Sequence, residues 1–248
     1  GDMTMPEEIN RILADRVSSL LLCPTDTAVV NLNREGVQHW GAKVVLSGDV
    51  MQDGAIFYKP LAQKPEDLQH SNDFVLCTLH RAENTDDPNR LNGIVSALNE
   101  IAETRQVILP LHPRTRQKLC DMKYLRVSEK IFLLEPVGYL NMVYLLSHCS
   151  LVMTDSGGLQ KEAFFFHKPC ITLRDETEWV ELIEHGYNVL AGANKENILY
   201  IYKDAKFSSD FDVNLYGEGK ASVHIVSQIL TDVTQPPANK RIISAWKK

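Results

Sequence analysis

The sequence predicts an α/β protein built on a parallel sheet. Short apolar runs of strand length recur from Phe74 onward, and stretches of helical length separate them. The runs are apolar throughout instead of alternating with polar residues. Strand–helix alternation favours parallel pairing through crossover helices, and strands apolar on both sides fit a sheet covered on both faces.

Taken in order, Thr4 followed three residues later by Glu7 reads as a capping box. Behind it Ile9, Ile12, Leu13, Val17 and Leu20 give one apolar helix face. "LLLC" is a short buried strand, Thr25 caps a second helix running to Gly36, and "KVVLSGDV" supplies a strand ending in a polar turn. Residues 51–72 carry Pro60 and Pro65 among polar residues and read as a linker or hinge. The regular part follows. Its candidate strands are "FVLCT", "QVILPLH", "IFLLE", "LVMTD" and "PCITL", separated by helices over 88–104, 113–123, 139–148 and 156–167. Two more helices are expected over 194–204 and 218–232, with a third at the C-terminus.

Composition narrows the function classes. With 248 residues, 44% hydrophobic and 23% charged, the chain has an ordinary globular balance and length for one or two domains. A net charge of −6 gives no general attraction for nucleic acid or an anionic membrane. No run reaches transmembrane length and no stretch reads as a signal peptide. The five cysteines are far apart, lack a C-x-x-C pair and mostly border apolar runs, which favours reduced thiols in a cytoplasmic protein over a disulfide framework or zinc site.

In open α/β sheets ligands bind beyond the carboxyl ends of the strands, and here those ends are "TLHRAEN", "LHPRTR", "EPVGYLN", "TDSGG" and "LRDETEW". Asp155-Ser156-Gly157-Gly158 would turn from strand into helix; glycines let the backbone approach a ligand, and a helix N-terminus offers free N–H groups to a diphosphate. A sterically eased turn explains the same residues. Glu162 either accepts hydroxyl bonds from a ribose or is a solvated helix carboxylate. Arg81 can pair with phosphate, and His80 can donate to phosphate or move a proton; a histidine satisfying the turn's own backbone is the alternative. His112 and Arg114 repeat the pattern one strand later, and the repetition favours an anion site. Glu7 reads locally as a cap, although a desolvated carboxylate there can act as acid or base. Asp175, Glu176 and Glu178 follow the fifth strand, where helix capping by Asp175 or Thr177 competes with ligand contact. The run Phe164–Phe166 and Trp179 read as packing. No P-loop, nucleophile elbow, dinucleotide fingerprint or metal spacing is present, so cofactor-free chemistry on a phosphorylated or nucleotide-linked substrate is expected.

Together "MPEEINR", "TLHRAEN", "HPRTR", "TDSGGLQKEA" and "LRDETEW" resemble, in order and spacing, the bacterial UDP-N-acetylglucosamine 2-epimerase family of the non-hydrolysing type. The resemblance implies two Rossmann-like domains in a glycosyltransferase-B-type arrangement, the first incomplete here. On that reading residues 1–50 are the tail of the first domain and 51–72 the linker. Residues 73–232 are then the UDP-binding domain and 233–248 a helical tail. The implied reaction removes the C2 proton, eliminates UDP to give a 2-acetamidoglucal, and adds UDP back with the proton on the opposite face. It interconverts UDP-N-acetylglucosamine and UDP-N-acetylmannosamine for surface polysaccharide synthesis, without external cofactor, in a homodimer. Glu7 matches an active-site glutamate and His80 the active-site histidine beside the diphosphate. Ser156, Gly157 and Gly158 match the segment holding the UDP phosphates, and Glu162 the ribose-binding glutamate. Val137 and Met142 fall where backbone and side chain flank the uracil. Where many members read "TERPE" this chain reads "TEW", placing Trp179 at an arginine implicated in substrate binding. The "RDETEW" form is similar to a branch that includes enzymes of diacetamido-uronic sugars. Further groups of the family's first domain lie upstream of "PEE", so the expectation is a chain that binds UDP and lacks part of the catalytic set.

Other readings are a retaining glycosyltransferase of the same two-domain fold, a non-catalytic UDP-sugar-binding module, and a hydrolysing epimerase. C2 hydrogen exchange, transfer to an acceptor, binding alone, and free sugar respectively tell the four apart.

Overall fold

The computed structural model describes residues 6–68, 73–121 and 126–234. The chain divides into one unit of residues 1–54 with 214–248 and another of residues 55–213.

In the first unit, helix α1 (Pro6–Val17) precedes strand β1 (Leu20–Cys23), helix α2 (Asp26–Arg34), strand β2 (Lys43–Leu46) and the start of helix α3 (Val50–Tyr58). Thr25 opens α2 as expected, its hydroxyl accepting the N–H of Ala28 at 3.2 Å. β1 and β2 pair in parallel, Leu20 opposite Lys43. Leu21, Cys23, Leu32 and Val37 make a small core beneath them. Arg11 ties α1 to the end of α2, meeting Glu8, Asp15 and Glu35 each at 2.8 Å. The capping box at Thr4 lies outside the described residues.

The second unit carries strand β3 (Val75–Thr78), the short helix α4 (Ala82–Thr85), helix α5 (Pro88–Ile101), strand β4 (Val107–Pro110), helix α6 (Pro113–Asp121) and strand β5 (Ile131–Leu134). Helix α7 (Tyr139–His148), strand β6 (Leu151–Thr154), helix α8 (Gly157–Phe165), strand β7 (Cys170–Thr172), helix α9 (Val180–Glu184), strand β8 (Asn188–Leu190) and helix α10 (Lys195–Asp204) follow. The six strands form one parallel sheet in the order β5-β4-β3-β6-β7-β8. Successive side chains leave a strand on opposite faces, and both faces are covered. Val75, Cys77, Leu109, Met153 and Ile171 join one core with Leu91, Ile94 and Leu98 of α5 and Ile198 of α10. Phe74, Leu76, Ile108, Val152 and Cys170 join another with Val143 and Leu146 of α7 and Leu159 and Ala163 of α8. This is why the strands are apolar without alternation. All five cysteines are free, and burial pushes the Cys149 and Cys170 thiols up to about 12.

Three expectations need correction. Residues 51–72 are not an irregular linker: α3 and a 3-10 turn at Lys59–Leu61 occupy most of the described part, and the division between units falls inside α3. The C-terminal helix, α11 (Ala221–Thr234), belongs with residues 1–54 and not with a domain over 73–232. The reason is a cap supplied across the sequence. Asp53 accepts the N–H groups of Ala221 at 3.0 Å and Ser222 at 2.7 Å, satisfying donors at the start of α11. Burial would raise the Asp53 pKa, but the bonds from Ser222 and Ala221 outweigh it and lower it. Gly48, at φ 83°, also passes close to Tyr216, whose carbonyl oxygen would lie 2.7 Å from any Cβ there. Finally, the sheet has a sixth strand, β8, which opens on the polar Asn188 and runs into Ala191-Gly192, so no apolar run marks it. The expected helix beyond residue 234 lies outside the described residues.

Candidate active site

Read in chain order, the six strands of the sheet follow the doubly wound sequence 3-2-1-4-5-6, and the direction of winding reverses between β3 and β6. A ligand crevice is expected beyond the carboxyl ends at that reversal, where "TLHRAEN" and "TDSGG" emerge side by side. The two strand ends are stitched together. Thr78 Oγ1 and Thr154 Oγ1 lie 2.6 Å apart, and Thr154 Oγ1 also accepts the N–H of Ser156 at 2.9 Å. Ser156 N-caps α8, its Oγ accepting from Leu159 N at 3.4 Å. The first turn of α8 therefore points its positive dipole end into the reversal.

Asp155 organises the opposite side. Its carboxylate, fully buried, accepts the N–H of Arg81 at 2.9 Å and of His80 at 3.1 Å, and the Asn84 amide at 3.3 Å. Asn84 in turn donates to Leu173 O at 2.8 Å, tying in the end of β7. The His80 side chain is 47% exposed, with Nδ1 3.5 Å from Asp155. Arg81 faces Glu178 at 3.4 Å, and Glu178 also holds the buried Arg174 at 2.6 Å. Burial works against ionisation of Glu178, yet its hydrogen bonds and the charges of Arg174 and Arg81 lower its pKa. Two guanidiniums thus share the Glu178 carboxylate beside a helix N-terminus.

The glycine at 157 has a local reason. A Cβ there would lie 3.3 Å from Glu178 Oε1 and 3.5 Å from Trp179 Nε1, so the loop after β7 closes directly over the start of α8. The Lys161 ammonium sits 4.1 Å above the Trp179 ring. Trp179 thus packs between Lys161 and the start of α8. Phe164 packs as well, its ring centroid 4.7 Å from that of Tyr187.

The remaining residues divide. Glu162 hydrogen-bonds Tyr139 at the start of α7; burial raises the Glu162 pKa, and burial together with Glu162 pushes Tyr139 up to about 12. Val137 and Met142, on either side of Tyr139, pack against the α7–α8 core. Glu162, Val137 and Met142 are therefore gathered on the α7 side of α8. His112 and Arg114 stand at the end of β4, turned to local partners. His112 Nδ1 accepts the N–H of Arg114 at 3.2 Å, and the Arg114 guanidinium is paired with Asp86 at 2.6 Å. Neither Asp175 nor Thr177 caps α9: Asp175 pairs with Arg90 at 2.7 Å and Thr177 donates to Gln160 at 2.7 Å. The Glu7 side chain lies outside the described residues; its neighbour Glu8 is held by Arg11, which brings its pKa to about 2. Sequence reasoning passed over Asn84 and Arg174. For Arg174 a signal existed, a charged residue directly after an apolar strand. For Asn84 there was none, because its partners come from two other strands.

The sequence model of the UDP-N-acetylglucosamine 2-epimerase family matches residues 1–230. The chain is 52% identical over 231 residues to the UDP-2,3-diacetamido-2,3-dideoxy-D-glucuronate 2-epimerase of Pseudomonas aeruginosa, covering 92% of this chain and 64% of that protein. It is 40% identical over 242 residues to the UDP-N-acetylglucosamine 2-epimerase of Methanocaldococcus jannaschii, covering 93% and 65%. The crystal structure of the latter organism's enzyme with UDP-GlcNAc and UDP aligns with a TM-score of 0.79 at 38% identity, over 93% of this chain and 66% of that one. The Neisseria meningitidis enzyme bound to UDP-GlcNAc aligns with a TM-score of 0.76 at 29% identity, over 91% and 65%. The chain thus spans less than two thirds of the length of these relatives. By the match of its sequence and the likeness of its fold, the chain belongs to the UDP-N-acetylglucosamine 2-epimerase family.

Proposed function

We propose that this chain carries the UDP-binding part of a nucleotide-sugar 2-epimerase that interconverts UDP-N-acetylglucosamine and UDP-N-acetylmannosamine. The observation behind this reading is the junction of "HRAEN" and "TDSGG" at the winding reversal, with the α8 N-terminus and Arg81 on either side. A diphosphate there meets backbone N–H donors, a helix dipole and a guanidinium. Ser156, Gly157 and Gly158 hold its oxygens, Glu162 binds the ribose hydroxyls, and Val137 and Met142 flank the uracil. His112 and Arg114 take a secondary part, since Arg114 is already paired with Asp86.

In the reaction the C2–H and C1–O bonds break, C1=C2 forms and UDP leaves with the C1–O electron pair. The reverse addition delivers a proton to the other face of C2. His80 stands where it can move a proton or bond the leaving diphosphate, and Glu7 is the second acid–base group. Catalysis needs such groups held together. The protein works as a cytoplasmic homodimer; its free thiols suit a reducing compartment, and sedimentation tests the dimer.

A second reading concerns the sugar. The relative at 52% identity is named for a diacetamido-glucuronate, and Trp179 with Lys161 replaces the expected arginine environment. UDP-2,3-diacetamido-glucuronate is then the preferred substrate. Proton NMR of each nucleotide sugar with the protein in deuterated buffer tests both readings. Loss of the C2 proton signal with appearance of the manno isomer supports epimerisation, and the sugar that exchanges faster names the substrate. Sugar transfer to an acceptor without C2 exchange would overturn it in favour of a glycosyltransferase.

A further inference from the structure

The geometry points to Asp155 as a positioning residue that fixes the tautomer of His80, keeping the imidazole proton on Nδ1 and leaving the Nε2 lone pair free to face the ligand. The inference rests on the proposed role of His80 for its functional meaning, but the tautomer itself is measurable without turnover.

The argument begins with Asn84. Its Oδ1 accepts from Arg90 Nε at 3.0 Å, and a guanidinium is donor-only, so the amide orientation is determined. The Asn84 nitrogen then faces Leu173 O at 2.8 Å and Asp155 Oδ2 at 3.3 Å. The same Oδ2 accepts the N–H groups of His80 at 3.1 Å and Arg81 at 2.9 Å. Every group bonded to this buried carboxylate is a donor, which is the environment of an ionised, acceptor-only carboxylate. Its other oxygen, Oδ1, is 3.2 Å from His80 N and 3.5 Å from His80 Nδ1. At that distance the contact is looser than a closed hydrogen bond. It is still short enough that a lone pair on Nδ1 would face a negative oxygen, whereas an N–H there is attracted to it. Which imidazole nitrogen carries the proton is set by the partner of the other. Asp155 therefore selects Nδ1–H, the reverse of the tautomer that a neutral imidazole side chain favours in water.

The consequence is directional. With Nδ1 committed to Asp155, proton movement by His80 takes place at Nε2, on the exposed side of the ring. Asp155 touches no substrate in this account and acts only through His80 and the turn that carries it.

The test is long-range ¹H–¹⁵N correlation NMR of the uniformly ¹⁵N-labelled chain at alkaline pH, where imidazoles are neutral, with His80 assigned by its loss in His80→Gln. The expected wild-type pattern is Nδ1 protonated and Nε2 not. In Asp155→Asn, the amide oxygen can take the place of Oδ2 and retain the turn, while the NH₂ group replaces Oδ1. A donor then faces Nδ1, and the populations should reverse so that Nε2–H becomes the major form. A wild-type His80 that is mainly Nε2–H, or an even mixture, overturns the proposal whether or not the variant folds. A variant that folds and keeps the wild-type tautomer overturns it as well. Failure of the proposed function would show separately, as a wild-type His80 in the Nδ1–H form whose signals do not respond to UDP.

Discussion

His80–Arg81 and His112–Arg114 are nearly the same chemistry placed at the ends of adjacent strands, yet the fold treats them differently. The first pair sits at the winding reversal, its backbone N–H groups held by a buried carboxylate and its guanidinium sharing Glu178 with Arg174. The second has no strand end of the opposite winding beside it. Its histidine accepts the N–H of Arg114, and its arginine pairs with Asp86, which also holds Lys118 at 2.9 Å. A residue pattern supplies functional groups, and sheet topology decides whether they face a ligand or neutralise one another.

The largest expected effect follows from removing the organiser of the first pair. Asp155→Ala leaves the part-buried backbone N–H groups of His80 and Arg81 and one N–H of the Asn84 amide without their acceptor, at about 1–3 kcal/mol each. With the two backbone groups only part-buried, the low end of that range applies and a loss of about 3 kcal/mol or more in urea unfolding is expected, whereas His112→Ala at an exposed position should cost about 1 kcal/mol or less. Equal losses would remove the distinction. Next comes UDP affinity by calorimetry. Arg81→Gln should weaken binding by about 10- to 100-fold, the worth of a charge-assisted bond. Arg114→Gln should change it by less than about 3-fold, because breaking an exposed ion pair has little effect; the reverse order would move the anion site to β4. Ser156→Ala removes the α8 cap and should lower stability by about 1 kcal/mol, and it should weaken UDP binding as well.

The smallest effect has a sign worth checking. Burial raises the Glu162 pKa, so the folded chain holds that proton more tightly than the unfolded chain. Its contribution to stability is fully present below the unfolded carboxylate value and is lost as pH rises through the folded value. Glu162→Gln should therefore gain stability relative to wild type across that rise, while UDP affinity falls. A variant that loses stability with rising pH just as wild type does would show that the pH dependence does not come from burial of Glu162.

Much of the second unit was legible because local and global signals agreed there. The helix predicted over 139–148 has those bounds, and the five predicted strands all occur; β3, β4, β6 and β7 are buried on both faces and so are apolar throughout, while the edge strand β5 exposes Leu133. The misses have physical causes. α3 contains Gly54 and leads to Pro60, and it leaves Ile56 and Phe57 exposed, so neither propensity nor face pattern announced it. α11 looked like an extension of the second unit because its cap, Asp53, stands far away in sequence. In the site, the turn "TDSGG" and the pair His80–Arg81 were readable as strand-end groups, and the structure brings them side by side. Their coupling through Asp155 and Asn84 was not readable, because it depends on β6 lying beside β3 and not beside β5. The contrast between the two histidine–arginine pairs was invisible for the same reason.

The central claim, that the winding reversal between β3 and β6 binds the UDP diphosphate, is tested most directly by titrating UDP into the ¹⁵N-labelled chain and following the backbone amides. The account predicts saturable shifts centred on Gly157, Gly158 and Arg81, with weaker ones at Arg114. Saturable shifts centred on Arg114 and His112 with Gly157 and Gly158 unmoved, or no shifts at all, would contradict it.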